Sequence, residues 1–208
     1  MSDILTRRRF FSSFAAAGLT FAFTGAVLIP PAAAAMDPDT FVTELGTRGI
    51  NALRPGLPSA VRLARLRKLF RHGFDIGGIG TFALGRYRWQ ATPEQQQQHM
   101  ALYQEFIVRV FSNQLNEYGG ASFRVTGRGP SGEETVVASE LARTDGNRLH
   151  LDWHLVSAGG RYRVTDLGVD GVSMKIQLRD RFASWIQDNG GQFNSLLAVL
   201  RQEIAQLQ

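Results

Sequence analysis

Residues 149–156 read LHLDWHLV. Leu149, Leu151, Trp153 and Leu155 alternate with His150, Asp152, His154 and Val156. A period of two puts the first set on one face of a β-strand and the second on the other. The same period begins upstream at Ser122, with Phe123 and Val125, and returns in a second strand from Thr135 to Leu141. Ser157-Ala158-Gly159-Gly160 is a hairpin turn. Beyond it, Tyr162, Val164 and a run through Leu167, Val169, Val172, Met174 and Ile176 predict one long last strand. The alternation slips near Gly168 or Gly171, which predicts a bulge there. Four strands joined by short turns make an antiparallel meander, and its apolar face needs a cover.

The cover is predicted by three-and-four spacing elsewhere. Met36 to Arg54 carries Phe41, Leu45, Ile50 and Leu53; Pro55-Gly56-Leu57-Pro58 interrupts it. Ser59 to His72 follows, with Val61, Leu63, Leu66, Leu69 and Phe70 on one side and Arg62, Arg65, Arg67, Lys68 and Arg71 on the other. Phe74 to Leu84 is short, apolar and rich in glycine. Thr92-Pro93-Glu94-Gln95 has the marks of a helix start: a threonine cap, a proline at the first position and a glutamine that completes a capping box. Met100, Tyr103, Phe106, Ile107, Val110, Phe111, Gln114 and Tyr118 form one face of that long helix, and Gly119-Gly120 stops it. Phe182 to Asp188 and Phe193 to Leu207 are closing helices around Asn189-Gly190-Gly191. The fold class is therefore α+β: N-terminal helices and one long central helix on a twisted antiparallel sheet of about four strands, closed by C-terminal helices.

The chain has 208 residues, no cysteine and a net charge of +5. Absent cysteine excludes disulfides, thiolate metal sites and cysteine nucleophiles. Thr6-Arg7-Arg8-Arg9-Phe10-Phe11, an uncharged apolar run from Phe14 to Ile29, and small residues from Ala32 to Ala35 read as a cleaved export signal. The twin arginine points to the Tat route; a general-secretory signal with three arginines is the other reading. Residues 1–35 are thus the leader and 36–208 one domain, of about 173 residues and about +3 charge. The chain is therefore expected to be exported.

His150, Asp152 and His154 share a strand face, but the outer two lie about 13 Å apart, too far for one metal; no metal site is expected. No G-x-S-x-G elbow and no phosphate loop is present. Asp166 and Asp170 could act as the acid/base pair of an exported hydrolase, or accept backbone N–H bonds at a bulge. The basic side of Ser59–His72 is a solvated face, or a meeting place for anionic headgroups or acidic partners. The stretch from Gly85 to Trp89, GRYRW, interleaves cations with aromatics as nucleic-acid surfaces do. Export and the weak net charge remove that reading and leave a helix junction sealed by Tyr87 and Trp89. The facing apolar sets fill a solid core, as in an interaction protein, or line a cavity between sheet and helices. Periodicity serves both.

Three strings then resemble one family. LGRYRWQATPEQ, residues 84–95, within the span Phe74–Phe111, is similar to the LGxYWRxATPEQ string of the MlaC, or toluene-tolerance, family. Tyr162–Met174, ending Asp170-Gly171-Val172-Ser173-Met174, and Phe182-Ala183-Ser184 with Asn189-Gly190-Gly191 match it further. Arg88-Trp89 reverses the usual aromatic-then-base order, Asp170 stands for a glutamate, and Gly77, Gly78 and Gly80 are extra glycines. The resemblance implies a monomeric, non-enzymatic periplasmic carrier with no cofactor. Its cargo is phospholipid, or a hopanoid or other isoprenoid lipid. Its partners are an inner-membrane ABC transporter complex and an outer-membrane lipoprotein complex. It has no nucleic-acid partner, and its work maintains outer-membrane lipid asymmetry. The motif match nominates Val172 and Met174 as pocket residues; the facing periodicities nominate Leu151, Trp153, Val164 and Ile176 from the sheet and Tyr103, Phe106 and Val110 from the long helix.

Overall fold

The computed structural model describes residues 36–207, apart from 116, 117 and 144; the leader read in residues 1–35 lies outside them. Helices α1 (Pro38–Ala52), α2 (Ser59–Gly73) and α3 (Ile76–Ala83) lead through a 3-10 turn (Gly85–Trp89) to the long α4 (Pro93–Gln114). Strands β1 (Ser122–Ser131), β2 (Glu134–Ala142), β3 (Arg148–Ala158), β4 (Arg161–Val169) and β5 (Val172–Ser173) follow, then α5 (Met174–Asp188) and α6 (Phe193–Gln206). The sheet order is β1-β2-β3-β4-β5, antiparallel throughout. This is the α+β arrangement that the periodicities predict.

The capping box at α4 forms. Thr92 Oγ1 accepts from the Gln95 N–H at 3.2 Å, and Gln95 Oε1 accepts from the Thr92 N–H at 2.8 Å. The glutamines of this first turn also tie elements together: Gln95 donates to Asn194 of α6 and Gln96 to the Arg88 carbonyl. α4 ends at Gln114, a turn before the glycine pair, so Tyr118 lies past the helix.

The last strand differs from expectation. β4 stops at Val169, and Asp170 and Gly171 take positive φ angles of 47° and 81°. Two successive left-handed residues turn the chain tightly back, as Asp-Gly pairs do. The return is the two-residue β5; Ser173 then caps α5 by accepting from the Ile176 N–H at 3.2 Å. Met174 and Ile176 therefore begin a helix. The bulge sits not at Gly168 or Gly171 but at Thr165, between the pairs His154↔Asp166 and Leu155↔Val164. A second irregularity falls between Val125 and Gly127.

Tyr87 is buried, and its hydroxyl meets Arg86 and Gln187. Trp89, expected to seal the same junction, is 78% exposed under the Arg88 guanidinium. With three residues per 3-10 turn, positions i and i+2 point in different directions, so one ring faces in and the other out.

Candidate lipid-binding site

The inner face of the sheet carries rows that cross several strands. Val137, Trp153 and Leu167 pair across β2, β3 and β4; Ser139, Leu151 and Val169 form the next row. The Trp153 indole N–H donates to Ser139 Oγ at 2.8 Å, so this wall meets its own polar needs. Opposite stand Leu45 and Ile50 of α1, Leu66, Leu69 and Phe70 of α2, and Phe111 near the end of α4. An apolar cavity of about 140 Å³ lies between the two walls.

Backbone approach explains why space remains. A Cβ on Gly46 would sit 2.4 Å from the Phe123 ring, so α1 touches the sheet there. One turn on, a Cβ on Gly49 would meet only Leu69, at 3.8 Å. Rings stiffen the rest: Phe70 lies 4.8 Å from Phe74 and 5.0 Å from Phe111, and Trp153 lies 6.1 Å from Phe123 and 6.3 Å from Phe74.

Of the nine residues nominated from sequence, Leu151, Trp153 and Met174 line this cavity. Tyr103 lines a smaller void of about 20 Å³ beyond it, to which Met174 also belongs. Burial, and then the charges of Asp166 and Asp75, push the Tyr103 phenol above its ordinary range, so it stays neutral. Phe106 packs on Phe182 and Trp185 in the helical core, while Val110 and Val164 are buried outside the cavity lining. Val172 and Ile176 lie at the surface, 46% and 42% exposed, because the Asp170-Gly171 turn carries them away from the sheet's inner face. Sequence reasoning nominated nothing on α1, α2, Phe74 or Phe123 for the pocket. The signal was present in the apolar stripes of the first two helices, whose opposing surface only the fold supplies.

The aspartates act on the backbone. Asp166, 4% exposed, accepts from the Leu167 N–H at 2.9 Å, the Lys175 N–H at 3.0 Å and the Ser173 hydroxyl. Asp170 accepts from the His150 N–H at 3.0 Å. They hold the β4–α5 corner. His150 is exposed on the outer sheet face, and His154 Nδ1 pairs with Glu134 at 3.0 Å. Burial pushes the Glu134 carboxyl up, but hydrogen bonds from Thr165 and His154 outweigh it and hold it below its usual range. Among the described residues, no group of three or more His, Asp or Glu is placed to hold a metal, and no helix is long and apolar enough to cross a membrane.

The profile of the MlaC protein family matches residues 51–202. A toluene tolerance protein, ttg2D of Pseudomonas putida, is 25% identical over 133 residues, covering 63% of this chain and 62% of that protein. The match thus spans less than two thirds of that relative's length. A phospholipid-binding protein from Ralstonia solanacearum, solved in complex with a phospholipid, has a TM-score of 0.69 and 22% identity. The superposition covers 82% of this chain and 98% of that one, so the two share a fold.

Proposed function

The chain belongs to the MlaC family, and from that membership we propose that it is a periplasmic lipid carrier, not an enzyme. It takes acyl chains into the cavity between the sheet and α1, α2 and α4. It then ferries lipid between an inner-membrane transporter complex and an outer-membrane lipoprotein complex. The observation that carries this reading is the cavity itself, almost wholly apolar and bordered by Gly49, where a side chain would fit without a clash. The phospholipid held by the Ralstonia protein of the same fold supports phospholipid as the cargo class.

The energetics suit a carrier. Each buried methylene is worth about 0.8 kcal/mol, so two chains of about fifteen methylenes amount to roughly 20 kcal/mol. Free lipid therefore does not cross an aqueous gap unaided. A pocket as apolar as the bilayer makes transfer nearly neutral and reversible, so direction comes from the partners. At about 140 Å³ the cavity is smaller than the roughly 300 Å³ at which ligand pockets begin. It widens as tails enter, by movement of the helical wall.

Native mass spectrometry of protein purified without added lipid tests the reading. Near one-to-one co-purified lipid is expected, and its identity separates phospholipid from a hopanoid-type cargo. Protein that is empty in every preparation would overturn it. Export through the Tat route predicts that changing Arg7 and Arg8 to lysine blocks secretion, read by cell fractionation.

A further inference from the structure

A groove of about 630 Å³ runs between the α1–α2 pair and the tip of the β3–β4 hairpin. Five permanent cations line it, Arg48, Arg65, Lys68, Arg161 and Arg163, against one carboxylate, Glu44. Glu44 is taken by Arg48 at 2.6 Å. Arg65 donates to the Asn51 carbonyl and Arg163 to the carbonyls of Arg71 and His72. Those acceptors are neutral, so they orient the guanidinium groups without cancelling their charge. Lys68 and Arg161 have no acidic partner among the described residues. Elsewhere on α2 the balance is different: Arg67 makes a two-pronged pair with Glu105, Nε donating to Oε2 at 3.1 Å and Nη2 to Oε1 at 2.9 Å.

A solvated helix face does not account for this concentration. Its cations come from three separate elements, and two of them, Arg161 and Arg163, sit on a strand. Like charges gathered in one concavity repel one another unless an anion joins them. The groove also adjoins the cavity. Leu45 and Leu69 line both, so the two spaces are separated by a pair of leucine side chains. Leu45 rests directly on Gly73, where a Cβ would lie 2.4 Å from it, so no second side chain backs the leucine there.

We propose that this groove seats the phosphate of a lipid whose tails pass between α1 and α2 into the cavity, and that it selects anionic headgroups over zwitterionic ones. The assignment rests on the carrier reading above. Phosphate oxygens meet arginine and lysine through charge-assisted hydrogen bonds. A zwitterionic headgroup brings an added cation into a groove whose one carboxylate is already paired.

The test loads delipidated protein from vesicles of phosphatidylglycerol and, separately, of phosphatidylcholine, with bound lipid counted by native mass spectrometry. Phosphatidylglycerol is expected to load roughly tenfold better, the scale of one or two charge-assisted contacts. The double variant Lys68→Glu/Arg161→Glu changes two exposed side chains. It is expected to lower phosphatidylglycerol loading at least tenfold, and phosphatidylcholine loading less, so that the preference disappears; an unchanged far-UV circular dichroism spectrum and melting temperature show that the variant is folded. Equal loading of the two lipids by the unaltered protein, or a preference that survives the double reversal, would overturn the proposal. So would inorganic phosphate that shifts the Lys68 and Arg161 amide resonances without any headgroup preference, since the groove would then be a soluble-phosphate site. Failure to load either lipid would instead overturn the carrier reading itself.

Discussion

His99 is wholly buried on α4, stacked on Tyr103 at 5.9 Å and met edge-on by Phe182 and Phe193. Its Nε2 lies 3.3 Å from the Gly80 carbonyl, so that nitrogen carries the proton, and Nδ1 has no partner. Burial lowers its pKa from 6.5 to about 4. The folded protein thus refuses a proton that the unfolded chain accepts, and the sign follows: stability is full above pH 6.5 and is lost as pH falls toward 4. The loss by pH 4.5 is about 2–3 kcal/mol. Carboxylates held low, Glu105 and Glu134 among them, release their share only below their ordinary value of 4.5. Thermal melts between pH 6.5 and 4.5 should therefore show a falling midpoint that His99→Phe flattens. Asp166 offers a second test. Alanine there strands the buried Leu167 N–H together with the half-buried Lys175 N–H and Ser173 hydroxyl, at about 2–4 kcal/mol, whereas asparagine keeps an acceptor oxygen and costs less. Urea denaturation of both variants checks the order; equal losses would count against the anchoring role.

At the scale of elements, two glycines three residues apart on α1 should respond in opposite ways. Gly46→Ala drives a methyl into the Phe123 ring, so it forces α1 from the sheet and destabilises the protein. Gly49→Ala adds a methyl at ordinary contact distance from Leu69 and removes a helix-interior glycine, worth about 0.5–1 kcal/mol of added stability. Denaturant midpoints of the two variants decide this, and shifts of the same sign would show that α1 does not sit as described. Elements also show where reading succeeds. α4 was legible because its cap, its first-turn proline and its stripe all lie within one continuous stretch and agree. The β4–α5 corner was misread because Leu167, Val169, Val172, Met174 and Ile176 fit a strand as well as a turn followed by a helix. Asp170-Gly171 and the capping Ser173 were the local signals that break the tie.

For the whole molecule, loading and stability are linked, since a ligand that binds only the folded state raises its melting temperature. Delipidated protein is expected to melt lower than protein reloaded from vesicles. Phospholipid brominated along its acyl chains should quench Trp153, which lines the cavity, and spare Trp89, which is exposed on the 3-10 turn. Trp153→Phe should remove most of that quenching; quenching that persists would place the tails elsewhere. Three of the pocket nominations, Leu151, Trp153 and Met174, lie on the cavity wall, while the α1 and α2 contributors were missed. Strand periodicity says which side chains face inward, but not which distant helix they meet. The α+β class, the meander, the capped central helix and the family strings are legible in the chain alone, because each depends on residues close together in it. That opposing apolar faces leave a cavity, and that cations from α1, α2 and β4 converge beside it, emerges only once the elements pack. Those features are distances between elements remote in sequence, set by where Gly46 and Gly73 let backbones approach.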